Sequence, residues 1–240
     1  MQKMKHPSGT SSHSVLVSAI VSAYNSERFM RGCLEDLTDQ TAFKAGNVEI
    51  IVVDSGSLQR EGAIVREFQD RFANIRYLRT EKRESVYAAW NRGIKVANGK
   101  YITNANTDDR HAREAFERMT TLLEMRSDAA LAYADVIKTR TENETFECCT
   151  ETGRFHWHDW DRRILLNEGC FMGPQPMWRR RVHELYGYFD ESLVTSGDYE
   201  FWLRISQSFN FFHIRMPLGL YLDRPDSIEH LNTEAGRSED

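Results

Sequence analysis

VLVSAIVSAYNSERFMRGCLEDL, residues 15–37, changes its hydrophobic period halfway along. Val15 to Ala23 is almost continuously apolar or small, which suits a strand covered on both faces. Phe29, Met30, Cys33, Leu34 and Leu37 then recur at helical spacing. A strand that runs through a short polar loop into a helix is the first part of a βαβ unit, and the alternation repeats downstream. EIIVVD (49–54) reads as a second strand, followed by a helix with Ile64, Val65, Phe68 and Phe72 inward. NIRYLR (74–79) is a third strand, and Val86, Trp90, Ile94 and Ala97 mark a third helix that stops at Asn98-Gly99. KYITNAN (100–106) is a fourth strand. Ala112, Ala115, Phe116, Met119, Leu122 and Leu123 belong to a helix beginning near His111, and AALAYADVI (129–137) is a further strand. Helix-length connections between strands imply parallel pairing, so an α/β fold is expected, with a mostly parallel central sheet and helices on both faces. Beyond about Thr139 the rhythm fails, and a helix over 199–207 is the clearest later element.

Composition narrows the function. The 240 residues carry 31 Lys and Arg against 36 Asp and Glu, a formal charge of −5, which argues against a protein living on nucleic-acid phosphates. Four cysteines show neither a C-x-x-C pair nor a disulfide framework, so a reduced, cytoplasmic setting is expected. No run approaches the roughly 20 apolar residues of a membrane span, so at most peripheral membrane contact is expected. The opening MQKMKHPSGTSSHS has no apolar h-region and reads as a loose lead-in.

In open α/β sheets ligands sit beyond the carboxyl ends of the strands. After the first strand stands SAYNSE rather than G-x-G-x-x-G. There is no P-loop and no G-x-S-x-G elbow. What the strand ends do carry is Tyr24 and Asn25, then Asp54, then Asn106, Thr107, Asp108 and Asp109. An aromatic face can stack on a base, and a carboxylate can accept from base or ribose donors. The acids at 108 and 109 suit a hard divalent cation that keeps water and substrate phosphates in its shell. They equally suit the N-cap and first turn of the helix expected near His111.

Taken in order, SAYNSERF (22–29), EIIVVDSGS (49–57), AAWNRGIKVANGKYI (88–102), NANTDD (104–109) and SGDYEFWLR (196–204) resemble the inverting nucleotide-sugar glycosyltransferases of family 2, which have the GT-A fold. The resemblance covers Val15 to Arg204. It implies one GT-A domain over 15–231, with a nucleotide-binding half (15–138) and an acceptor-binding half (139–231), between a lead-in at 1–14 and a loose tail at 232–240. It further implies that Tyr24 stacks on the base while Ser22 and Ala23 lend backbone groups. Asn25 and Glu27 would stand beside them, Asp54 would contact the base, and Asn91 and Arg92 would approach the nucleotide.

The family's D-x-D motif falls on Asn106, Thr107 and Asp108. Asp108, with Asp109 beside it, is therefore the expected ligand of Mn2+ or Mg2+, although the first motif position has become Asn. Asp198 occupies the place of the general base, with Glu200 as its alternate. Arg224 stands where the family often has a His and would contact phosphate, with His230 as a substitute ligand. Trp157 in FHWHDW (155–160), and Gln175 and Trp178 in GPQPMWRRR (173–181), are the acceptor-side candidates, while Trp90 reads as core.

The expected activity is inverting transfer of a sugar from a nucleotide-diphospho-sugar, UDP-linked, to a hydroxyl of a glycan or lipid-linked acceptor. A sugar nucleotidyltransferase is the first rival, but it normally brings a Gly-rich, Lys- or Arg-bearing loop after the first strand, which SAYNSERF is not. A non-catalytic sugar- or nucleotide-binding module of a larger glycan polymerase is the second.

Overall fold

The runs at 17–23 and 48–54 are buried along almost their whole length, as strands between two helical layers must be. The computed structural model describes residues 15–224. In chain order the elements are β1 (Val17–Ala23), α1 (Glu27–Asp39), α2 (Thr41–Lys44), β2 (Val48–Asp54), α3 (Glu61–Gln69), β3 (Ile75–Arg79), α4 (Val86–Val96), β4 (Tyr101–Asn104), β5 (Arg110–His111) and α5 (Ala115–Met125). There follow β6 (Ala129–Thr139), β7 (Gly153–Phe155), α6 (Arg162–Glu168), β8 (Met177–Arg179), α7 (Val182–Tyr186), α8 (Gly197–Ile205) and β9 (Asn210–Leu222).

The strands form one sheet in the order β3-β2-β1-β4-β8-β6-β9-β5, with β7 pairing on β6. β1 lies between β2 and β4, parallel to both, with Val17 opposite Val48 and Tyr101. β8 runs antiparallel to both β4 and β6, so β6 points the same way as β4, and β9 is parallel to β6. The carboxyl ends of β3, β2, β1, β4, β6 and β9 therefore share one edge. The mostly parallel α/β architecture expected from the alternation is the one found.

Strand alternation divides the interior between two faces. Val21, Ile50 and Val52 pack with Met30 and Leu34 of α1, Val65 and Phe68 of α3, and Phe116 and Met119 of α5. Ile20, Ile51 and Val53 face the other way, toward Tyr87, Trp90 and Ile94 of α4 and an aromatic group containing Trp178, Phe189, Phe201, Trp202 and Phe211. Trp90 is a core residue, as its position on the helical stripe suggested.

Two local expectations are corrected. α5 starts at Ala115, and Arg110–His111 pair with β9 as a short strand, so Asp108 and Asp109 do not sit at a helix start. The second half is also more regular than its polar composition suggested, because β8 and the 13-residue β9 continue the sheet. Register shifts against β6 around Asp135 break the period of β9, which also contains Pro217. Among the described residues no helix is long and apolar enough to cross a membrane. His230, the lead-in at 1–14 and the tail at 232–240 lie outside the described residues.

Candidate active site

The loops after β1 and β2 are tied to each other. Asn25 adopts a left-handed φ of 49°, from which its side-chain oxygen accepts from the Leu58 N–H at 2.8 Å while its own N–H donates to Ser57 Oγ at 3.1 Å. The Ser26 N–H donates to the buried Glu61 Oε1 at 2.6 Å, and the Glu27 carboxylate accepts from the Arg60 N–H at 3.1 Å. At the end of β1 the Ala23 carbonyl accepts from the Ser55 N–H at 2.8 Å, and Ser22 stands opposite Val53. Asn25 and Glu27 thus brace the loops, and Tyr24 is left 38% exposed with the Arg83 guanidinium 4.4 Å from its ring centre.

Asp54 is fully buried. It accepts from the Ser57 N–H and from Arg79 Nη1, both at 2.8 Å, and from the Tyr77 hydroxyl. Burial alone would raise its carboxyl; the Tyr77 and Ser57 donors and the Arg79 charge outweigh this and hold it below the usual carboxylate range. The Asp54 oxygens expected to contact the base are here engaged by Ser57, Tyr77 and Arg79.

Asn91 and Arg92 also differ from expectation. Asn91 is 1% exposed, and its amide donates to the Phe189 carbonyl at 2.8 Å while accepting from the Phe189 N–H at 3.1 Å. It staples α4 to the segment leading into α8. Arg92 is solvent-exposed and paired with Glu84, its Nε lying 3.1 Å from Oε2.

Beyond β4 the two acids part company. Asp109 is 3% exposed; its oxygens accept from the Asn106 amide at 3.0 Å and the Leu222 N–H at 3.2 Å. Burial, then the neighbouring Asp108 charge, pushes its carboxyl up to about 8. Asp109 is thus turned toward Asn106 and Leu222, apart from the metal-side position expected beside Asp108. Asp108 is the more open acid, with Oδ2 2.9 Å from Arg224 Nη2. Thr107 is buried, and its carbonyl accepts from the buried Arg110 guanidinium at 2.9 Å.

Among the described residues no three His, Cys, Asp or Glu side chains converge as a complete metal cage. A divalent ion carried by substrate phosphates needs only one or two protein oxygens. Asp108 fits that need, and Asn106 commits its N–H side rather than its oxygen to Asp109.

Asp198 lies in the first turn of α8, and its Oδ1 is 3.2 Å from the Tyr87 hydroxyl. Tyr87 belongs to the first turn of α4, on the edge that follows β3, so this contact draws Asp198 toward the carboxyl edge of the sheet. Gly197 permits the approach, since a Cβ there would lie 2.7 Å from the Tyr87 ring. Glu200, by contrast, is engaged by Arg204 one turn on, at 2.6 and 2.8 Å, and does not share the Asp198 contact.

Of the acceptor-side candidates, Trp178 is 1% exposed and donates to His183 Nε2 at 2.8 Å inside the aromatic core. Gln175 is likewise buried and donates to the Arg110 carbonyl at 2.9 Å. Neither presents a surface to a sugar, which corrects both expectations. Trp157 is partly exposed and stacks on Phe155 with ring centres 4.8 Å apart. Sequence reasoning missed Tyr87 and Arg110, which no motif singles out; no local spacing ties Tyr87 to a residue 111 positions away.

Comparison with known proteins follows the same outline. The model of the family described as Glycosyl transferase family 2 matches residues 18–185. Chondroitin synthase of Escherichia coli is 26% identical over 213 residues, which is 89% of this chain and 30% of that enzyme. The crystal structure of S. aureus TarS 1–349 in complex with UDP-GlcNAc matches with a TM-score of 0.72 at 17% identity, covering 89% of this chain and 60% of that one. The mannosyltransferase PcManGT from Pyrobaculum calidifontis, in complex with GDP-Man and Mn2+, matches with a TM-score of 0.68 at 15% identity, covering 93% and 64%. The chain spans less than two thirds of the length of all three, and at these identities the two structures show a shared fold of GT-A type.

Proposed function

The chain belongs to glycosyl transferase family 2, and on that footing we propose that it transfers a sugar from a nucleotide-diphospho-sugar to a hydroxyl of a glycan or lipid-linked acceptor, with inversion at the anomeric carbon. One observation carries the reading: an acid on the late helix, Asp198, meets the carboxyl edge of the sheet through Tyr87, the edge that also bears Tyr24 and Asp108. A base on one side and a diphosphate anchor on the other are what direct displacement requires.

In this reading Tyr24 offers its face to the nucleobase. Asp198 takes the proton of the attacking hydroxyl as the new bond forms, and the electron pair of the breaking bond leaves with the diphosphate. Arg224 turns from Asp108 to the departing phosphates. A Mg2+ or Mn2+ ion held by Asp108 and the Asn106 oxygen supplies charge stabilisation to the leaving group when bound. UDP is the nucleotide proposed, by likeness to TarS with UDP-GlcNAc, and GDP, held by PcManGT as GDP-Man on the same fold, is its rival. Work on the cytoplasmic side, with at most peripheral membrane contact, belongs to the same proposal.

The deciding experiment is the thermal midpoint of the protein with UDP, GDP, ADP or CMP, each with Mn2+ and again with EDTA, since a ligand specific to the native state stabilises it by mass action. A shift for one nucleotide that EDTA removes is expected. No shift with any of the four defeats the donor-site reading and favours a non-catalytic module.

A further inference from the structure

The N-terminal half of α4 and its cap grip the segment 189–198 at three points. Ser85 caps the helix by accepting from the Ala88 N–H at 3.2 Å and donates to the Glu191 carbonyl at 3.0 Å. Asn91 holds Phe189 from both sides. Between them the Tyr87 hydroxyl proton faces two acceptors, the Thr195 carbonyl and Asp198 Oδ1, while its oxygen faces the backbone N–H groups of Gly197 and Asp198. The Tyr87 side chain is 2% exposed, packed edge-on to Trp90 and stacked on Phe189 with centres 6.0 Å apart. Burial, then the Asp198 charge, raises the phenol far above its usual range, so it keeps its proton throughout. A single proton faces two acceptors.

We propose that Tyr87 is the positioning residue of the base: its hydroxyl donates to ionised Asp198 and, once Asp198 holds the acceptor's proton, turns its own proton to the Thr195 carbonyl. The inference rests on the reading of Asp198 as the base. The proton count closes, because the acceptor hydroxyl loses one proton to Asp198 while Tyr87 only reorients its own. Tyr87 thereby favours the ionised carboxylate, and its ring is fixed by packing before substrate arrives. Other charged groups on the surrounding elements are already engaged: Glu191 by Asn91 and Lys95, Glu84 by Arg92, and Glu200 by Arg204.

Tyr87→Phe keeps the ring against which Gly197 packs and removes only the hydroxyl. The first readout is the carboxyl 13C titration of Asp198 by NMR in the wild type and the variant, which needs no substrate. A charge-assisted hydrogen bond is stronger than a neutral one, so Asp198 is expected to titrate about one unit higher in Tyr87→Phe. The UDP–Mn2+ thermal shift should stay unchanged, and turnover of the sugar nucleotide identified in the nucleotide screen should fall about tenfold in kcat with the donor KM unaltered. Replacing Tyr87 by 3-fluorotyrosine, which retains a more acidic hydroxyl, should move Asp198 downward and keep the fold if the phenylalanine variant does not. An unmoved or opposite titration, or a change confined to donor KM, overturns the role of Tyr87. Wild-type turnover by Asp198→Asn, or no turnover of any UDP-, GDP-, ADP- or CMP-sugar by the wild type, overturns the base reading instead.

Discussion

Arg224, at the end of the last strand, closes on Asp108 across 116 residues of sequence, with Nε and Nη2 at 3.1 and 2.9 Å from the same carboxylate oxygen. A guanidinium thus occupies one oxygen of the acid proposed to hold the metal, so cation and arginine compete for it. Arg224→Ala should bind Mn2+ alone several-fold more tightly than the wild type, because a partly buried pair of about 1 kcal/mol no longer opposes the ion. The same variant should bind UDP–Mn2+ more weakly, having lost a phosphate contact. Calorimetry with each ligand checks both directions, and Mn2+ affinity unchanged in the variant would contradict the competition.

Asp108→Ala and Asp198→Asn should separate binding from transfer. The first should lose the EDTA-sensitive part of the UDP thermal shift. The second should keep that shift while turnover falls by about two to four orders of magnitude, the usual range for loss of a positioned base. Equal loss of nucleotide binding in both variants would show that the two acids do not play distinct parts.

Asn91→Ala tests whether a motif residue serves structure or ligand. Truncation leaves both the buried N–H and the buried C=O of Phe189 without their partner. Each such group costs about 1–3 kcal/mol when unpaired, so chemical denaturation should show a loss of about 2–4 kcal/mol. UDP affinity measured well below the melting temperature should be unchanged; a selective loss of affinity would return Asn91 to the nucleotide site.

His183 gives the fold an acid-sensitive element. Its Nε2 accepts from Trp178 and its Nδ1–H donates to the Gly187 carbonyl, an arrangement only the neutral ring can make, and burial lowers it from 6.5 to about 4. The native state therefore disfavours protonation relative to the unfolded chain. Its contribution is fully present above about pH 6.5, declines as pH falls toward 4, and has then lost about 3 kcal/mol. Urea unfolding of the wild type and His183→Gln at several pH values should show the difference between them shrinking over that window; a constant difference would be inconsistent with a buried neutral ring.

The first half of the chain was readable because local signals agreed with the global fold. Strands buried on both faces must be continuously apolar, and α1, α3, α4 and α5 each bury one stripe, so β1 to β4 and their helices fall close to where periodicity puts them. β9 escaped because its shifted register and Pro217 obscure a period of two. At the site, residue type revealed which positions are polar but not which way they turn. Asp108 and Asp109 look alike in sequence, yet the Leu222 N–H and the Asn106 amide draw Asp109 inward. Asn91, Gln175 and Trp178 are buried in the structure for a reason spacing does not reveal: a buried amide or indole that satisfies the backbone or a neighbouring ring is indistinguishable in sequence from one that meets a ligand.

The contacts of Leu222 with Asp109 and of Arg224 with Asp108 also bear on how the molecule comes into being. On a ribosome, β1 to β4 with their helices emerge early and can pair locally, but β9 must leave the exit tunnel before it can insert between β6 and β5 and fix the acid loop. A nascent chain lacking that strand would lack the Leu222 and Arg224 contacts that hold Asp109 and Asp108. The geometry of the two acids is thus set by contacts that only the final described strand can supply.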